Sequence, residues 1–164
     1  SNDALFQDPP PREECPICFL PLPYSTSGDV ATRTAYQICC GKLLCIGCVG
    51  ASLKEKIKCC PFCRGPLRYS DEESIKRCEI RMKANDGNAF YKLGHRYFSG
   101  EWGLPRDSRK ALELWIRAGE LGSCTGYNSA ASVFMLSERT NEREVEEAIQ
   151  DAIHYYSLAA MGGH

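Results

Sequence analysis

Three clusters of thiols fall between Cys15 and Cys63: C-P-I-C at 15 to 18, C-C-G-K-L-L-C-I-G-C at 39 to 48, and C-C-P-F-C-R at 59 to 64. They hold nine of the chain's eleven cysteines. Thiolate is a soft ligand, and a C-x-x-C pair delivers two sulfurs from one tight turn, so several such pairs can close complete tetrahedral zinc sites. Eight thiolates would serve two zinc ions. No histidine precedes His95, so any metal site in this stretch is all cysteine. Thiolates that saturate zinc leave no open coordination position, so the expected role of the metal is to hold shape and not to hydrolyse. The competing reading, free or disulfide-bonded cysteine, accounts poorly for this order and spacing.

The elements that must position these thiols are short. Residues 1–13 carry three successive prolines and few apolar groups, and are expected to be disordered. Between Cys18 and Cys39 a proline-rich loop leads into β-compatible Val30, Thr32, Thr34 and Tyr36, a short strand entering the second cluster. After Cys48, VGASLKEKIK places Val49, Leu53 and Ile57 at helical spacing, which predicts a short central helix. So little sequence buries little surface. Structural zinc, with apparent affinities of about 10 to 16 kcal/mol per site at pH 7, would replace much of the missing core.

The order of clusters resembles the RING finger family over residues 14–68, most specifically in C-P-I-C, C-G-x-x-x-C-x-x-C and C-P-F-C-R-x-P-L. The resemblance implies an interleaved cross-brace in which the first and third ligand pairs bind one metal and the second and fourth bind the other. Zinc one then takes Cys15, Cys18, Cys45 and Cys48; zinc two takes Cys39, Cys40, Cys60 and Cys63. Where a common RING has histidine after C-G, this chain has Lys42, a protonated and poor ligand, so the role passes to the neighbouring cysteine. Adjacent ligands at Cys39 and Cys40 need a sharp backbone, which Gly41 permits. Cys59 is then the spare thiol; the rival assignment exchanges Cys59 for Cys39.

The same resemblance implies a function. RING domains bind a ubiquitin-conjugating enzyme charged with ubiquitin and hold the conjugate for attack by a substrate lysine, an effect of position and orientation. No cysteine of this chain needs to accept ubiquitin, so no catalytic nucleophile is assigned. Ile17 and Pro61 map to the contact with the conjugating enzyme, and Arg64, with its fork of donors, to a bridge with ubiquitin. Their alternative role is local packing. Ser52 stands in the central helix where many active members have tryptophan, which implies a weak or selective docking surface.

Beyond the cysteines the pattern changes near residue 70, so the 164 residues divide into two small domains. Residues 69–84 predict a connecting helix: Ser70 and Glu73 form a capping-box pattern, and Ile75, Cys78 or Glu79, and Met82 give a narrow apolar stripe, read as a seam against the next domain. Cys78 and Cys124 are isolated and read as small buried groups. A helical pattern then repeats. N-A-F-Y-K-L-G-H-R-Y-F-S-G (88–100) and D-S-R-K-A-L-E-L-W-I-R-A-G-E-L-G (107–122) are followed by Y-N-S-A-A-S-V-F (127–134) and E-A-I-Q-D-A-I-H-Y-Y-S-L-A-A-M-G-G (147–163). Leu93 and Gly94 match Ala130 and Ala131; Ala111, Trp115 and Ala118 match Ala152, Tyr156 and Ala159, with Trp115 and Tyr156 filling the groove between paired helices.

These units resemble Sel-one-like repeats, relatives of tetratricopeptide (TPR) repeats, at 85–122 and, less regularly, 123–164. The second lacks the glycine loop. Stacked helical hairpins need several units and a cap, and this chain opens without methionine and stops where another first helix would start, so the expectation is a truncated array. The expected fold is a small zinc-stabilised α+β RING cross-brace followed by an all-α helical-hairpin solenoid. The resemblances together imply a RING-type ubiquitin protein ligase, a transferase whose repeats recruit substrate or scaffold proteins. The alternative is a non-catalytic adaptor whose RING is structural or dimerising.

A net charge of −1 supplies no basic field for nucleic acid. No apolar run is long enough to span a bilayer and no signal segment opens the chain, so an intracellular protein, cytoplasmic or nuclear, is expected.

Overall fold

The computed structural model describes residues 13–22, 34–54 and 59–136, with residues 150, 154 and 157 beyond them. Two compact units divide the chain, one of Pro11–Ala84 and one containing Asn85–His164.

The first unit is built on a hairpin. Strands β1 (Thr34–Gln37) and β2 (Lys42–Cys45) pair antiparallel with Thr34 opposite Cys45 and Gln37 opposite Lys42. The turn between them carries Cys39 and Cys40. Its N–H groups at Cys40 and Gly41 both donate to the Gln37 carbonyl, at 3.2 and 2.7 Å, and Gly41 takes φ 71°, a left-handed conformation that costs glycine little. Helix α1 (Ile46–Lys54) follows β2 directly. The expected helix from Cys48 thus starts earlier, and residues 55–58 lie outside the described residues, as do Val30 and Thr32 of the expected strand.

Two details depart from expectation. Leu53 faces outward at 58% exposure, whereas Ser52 is only 7% exposed and donates its hydroxyl to the Cys48 carbonyl at 3.2 Å. Satisfying its own hydroxyl one turn back lets the small serine sit inside, so the apolar periodicity mislabelled the helix faces. Glu13 and Glu14 are held in the unit, the first by a 2.7 Å bond from Leu22 N–H to its carbonyl and the second by a bridge to Pro21, so the disorder expected for 1–13 does not hold at Glu13; residues 1–12 lie outside the described residues.

Helix α2 (Asp71–Lys83) also belongs to this unit. Ser70 caps it by accepting from Glu73 N–H, and the Glu73 carboxylate lies 2.8 Å from Arg77. Cys78 is fully buried, Ile75 and Met82 half-buried, and Glu79 and Ile80 exposed.

The second unit stacks α3 (Gly87–Ser99), α4 (Ser108–Glu120) and α5 (Cys124–Leu136), each helix packed on the next. Asp86 and Asp107 cap α3 and α4 through Asn88 and Lys110 N–H groups. Ala111, Trp115 and Ala130 form the core, with Tyr91, Tyr97 and Phe98 packed on it. The Trp115 indole N–H donates to the Tyr91 carbonyl at 3.2 Å, tying α4 to α3. Between α4 and α5 the approach is closer still. A β-carbon at Gly126 would stand 2.5 Å from the Trp115 carbonyl oxygen and 2.7 Å from Gly119 N, so only glycine fits. Ala152, Tyr156 and Ala159 lie outside the described residues, as does the Cys124 side chain.

Candidate metal centre

The two C-P-x-C segments fold into matching turns. Cys15 N–H donates to Leu20 O (3.0 Å) and Phe19 N–H to Cys15 O (2.8 Å); forty-five positions on, Cys60 N–H donates to Gly65 O (2.7 Å) and Arg64 N–H to Cys60 O (2.8 Å). Phe19 and Arg64 take the same left-handed backbone, φ 58° and 60°. Each turn is closed by one antiparallel bridge, Glu14 with Pro21 and Cys59 with Pro66.

These turns grip the hairpin at opposite ends. Cys45 closes β2 and Cys48 lies in the first turn of α1, while Cys39 and Cys40 sit on the hairpin turn. At about 3.4 Å per residue, a four-residue strand separates the two sets by roughly 14 Å. The sulfurs of Cys15, Cys18, Cys45 and Cys48 all lie within 4.8 Å of one another, as do those of Cys39, Cys40, Cys60 and Cys63. In chain order the first and third pairs meet, and the second and fourth pairs meet.

The spacing within each group suits a tetrahedral metal. Four sulfurs about 2.3 Å from a zinc ion stand about 3.8 Å apart. The structure has 3.8 Å between Cys18 and Cys45 Sγ, 3.9 Å between Cys40 and Cys60, and 4.0 Å between Cys39 and Cys40. Backbone N–H groups point at several sulfurs: Cys45 to Cys15 (3.5 Å), Cys48 to Cys45 (3.4 Å) and Gly65 to Cys63 (3.4 Å). Such donors favour thiolate.

Crowding makes the thiols ionise unequally. Burial, reinforced by neighbouring thiols, pushes Cys39 and Cys48 well up. Burial also opposes ionisation of Cys15, yet the N–H groups of Cys45, Cys18 and Ile17 outweigh it and bring Cys15 from 9.0 to about 6. Cys63 is likewise lowered against its burial, chiefly by Gly65 N–H. A divalent cation removes this conflict because its charge favours all four thiolates at once. Four soft donors at this spacing are consistent with zinc.

Cys59 lies outside both groups, and Lys42 is exposed. Ile17 is exposed, Pro61 half-buried and Arg64 exposed. In the matching turns the counterpart of Ile17 is Phe62 and that of Arg64 is Phe19, both exposed; sequence reasoning overlooked them, although the repeated C-P-x-C already aligns them. It also missed Tyr69 and Arg81, which reach the second group from outside the cysteine clusters.

The sequence matches the Sel1 repeat family over residues 88–123 and 141–164. The chain carries Sel1 repeats. A solved Sel1 repeat protein from Oxalobacter formigenes superposes with a TM-score of 0.50 at 22% identity, over 71% of this chain and 42% of that one, a likeness of fold. Over 70 residues, 43% of its length, the chain is 37% identical to proteins named E3 ubiquitin-protein ligase sina from Drosophila melanogaster and Drosophila erecta. The match spans 18% of each of those relatives. No helix among the described residues is long and apolar enough to cross a membrane.

Proposed function

We propose that this protein is a RING-type ubiquitin protein ligase that binds two structural zinc ions and positions a ubiquitin-loaded conjugating enzyme, while its Sel1 repeats recruit substrate or scaffold proteins. The observation that carries the reading is the interleaving of the two sulfur groups at the separations tetrahedral zinc requires. The partial likeness to relatives named as ubiquitin ligases also supports it.

Bound zinc supplies rigidity to the turns. Cys15, Cys18, Cys45 and Cys48 hold one ion, and Cys39, Cys40, Cys60 and Cys63 the other, with Cys59 spare. The turns then present Ile17 and Phe62 at equivalent places, beside Pro61, and α1 presents Leu53. These apolar groups suit docking of the conjugating enzyme. Leu53 thereby takes the part that Ser52, turned inward, does not play.

Chemistry passes between the partners. A substrate lysine amine attacks the thioester carbonyl, the conjugating enzyme's thiolate leaves, and an isopeptide bond forms without any bond to this chain. The protein contributes orientation, which raises effective concentration at the reacting carbonyl. Arg64, exposed and held by its left-handed turn, donates to ubiquitin and restrains the flexible conjugate.

Autoubiquitination across a panel of conjugating enzymes tests this reading. At least one enzyme should give chains that depend on the protein and vanish when zinc is chelated. Silence with every enzyme, from protein that holds two zinc ions, would instead support the adaptor reading.

A further inference from the structure

The second sulfur group has attachments that the first has no counterpart for among the described residues. From α2, the Arg81 guanidinium donates twice to the hairpin turn, Nε to the Ile38 carbonyl at 3.1 Å and a terminal nitrogen to the Cys39 carbonyl at 3.2 Å. Two donors from one planar group fix both position and direction of the peptide that carries Cys39. Just before α2 stands Tyr69. The Arg77 guanidinium covers its ring at 4.2 Å, and its hydroxyl is buried with no hydrogen-bond partner. That hydroxyl lies over Gly65: a β-carbon there would stand 3.4 Å from the Tyr69 oxygen, 3.3 Å from Cys63 Sγ and 3.3 Å from Cys39 Cβ. No thiol among the described residues stands within hydrogen-bonding reach of the hydroxyl in this structure, yet Cys39, Cys60 and Cys63 are near enough to act on it electrostatically. A buried, unused donor there is costly unless it acquires an acceptor, and a metal-bound thiolate of this group is a suitable one.

Resting on the zinc reading above, we propose that Tyr69 and Arg81 are positioning residues of the second metal centre: Arg81 locks the Ile38–Cys39 turn, and the Tyr69 hydroxyl donates to a thiolate of that centre. Helix α2 is then a bracket for one metal and not only a connection. Groups that orient ligands and hydrogen-bond to them typically change metal affinity by about 10- to 100-fold when removed. The effect should be confined to one centre.

The test uses the full chain. Release of zinc to excess chelator should slow into two kinetic components in the wild type. Arg81→Ala should speed one component by about 10- to 100-fold and leave the other unchanged, and Arg81→Lys, which keeps a donor, should recover part of the loss. Tyr69→Phe removes only the hydroxyl and keeps the ring under Arg77, so it should speed the same component. In cadmium-113 spectra of the cadmium-loaded protein it should shift one of two resonances, the one correlated with Cys39, Cys40, Cys60 and Cys63 protons. Two metals with unchanged release and resonances in both variants would overturn this inference and spare the zinc reading. Equal acceleration of both components would overturn it too, showing general loosening. A wild type that binds no metal would overturn both.

Discussion

Exchanging Cys60 for serine should dismantle the cysteine-rich unit, while Cys59→Ser, one residue away, should leave it intact. Cys60 is fully buried, its sulfur is 3.9 Å from Cys40 Sγ, and it belongs to the second group of four; Cys59 belongs to neither group. Serine replaces a thiolate by a neutral hydroxyl that zinc holds poorly. Among the described residues the buried cluster of this unit is Cys15, Leu22, Leu44 and Cys60, with Leu43, Val49 and Leu67 partly buried against it, so two leucines are its buried apolar side chains besides the cysteines. Two buried leucines contribute about 3 to 6 kcal/mol together, against an apparent 10 to 16 kcal/mol or so from each structural zinc. Loss of one centre therefore exceeds what the remaining packing can offset. Zinc released per chain, measured with a metallochromic chelator, and amide dispersion in NMR spectra provide the readout. Cys60→Ser should hold at most one zinc and lose dispersion in the first unit, and Cys59→Ser should hold two and match the wild type. Equal loss in both variants, or two zinc ions retained by Cys60→Ser, would refute the assignment of ligands.

In the repeat unit, Gly126→Ala gains about 1 kcal/mol of helix propensity but sets a methyl against the α4 backbone at 2.5 and 2.7 Å, and overpacking of that kind costs about 1 to 3 kcal/mol or more. The clash should win, lowering the thermal midpoint by several degrees, whereas Gly50→Ala in α1, with nothing within 4 Å, should not destabilise. Trp115→Phe removes the indole donor to the Tyr91 carbonyl, which keeps its own intrahelical partner within α3. The loss should be that of one hydrogen bond, about 0.5 to 1.5 kcal/mol, plus the lost ring contacts, and urea unfolding followed by circular dichroism should register it.

The cysteine clusters were legible because ligand spacing is a local code in which four residues fix each turn; which pairs share a site was implied by the resemblance to RING fingers, since chain order alone also permits sequential pairing. The helices of the repeat unit were legible for a similar reason, since Leu93, Gly94, Ala111, Trp115 and Ala118 repeat at helical spacing and all five are buried. Orientation within α1 was not. Its nine residues are too few for periodicity to choose a face, and Ser52 satisfies itself against Cys48, which no hydropathy pattern reveals. Nor could sequence place Arg81 on the carbonyls of Ile38 and Cys39, more than forty residues back, because backbone acceptors carry no side-chain signature. Phe62 was a different omission: its equivalence to Ile17 was present in the repeated C-P-x-C and went unread.

Single-turnover discharge of a ubiquitin-charged conjugating enzyme onto free lysine tests the ligase reading most directly, with Arg64→Ala as the discriminating variant. Alanine and arginine bear the same backbone cost at φ 60°, and the Arg64 side chain is exposed, so zinc content should not change. Wild type should accelerate discharge. The variant should be slower by roughly ten- to a hundredfold, as expected for about 1.5 to 3 kcal/mol from one charge-assisted hydrogen bond formed in the reactive conformation. Wild-type protein with two zinc ions that accelerates discharge from no conjugating enzyme would contradict the account.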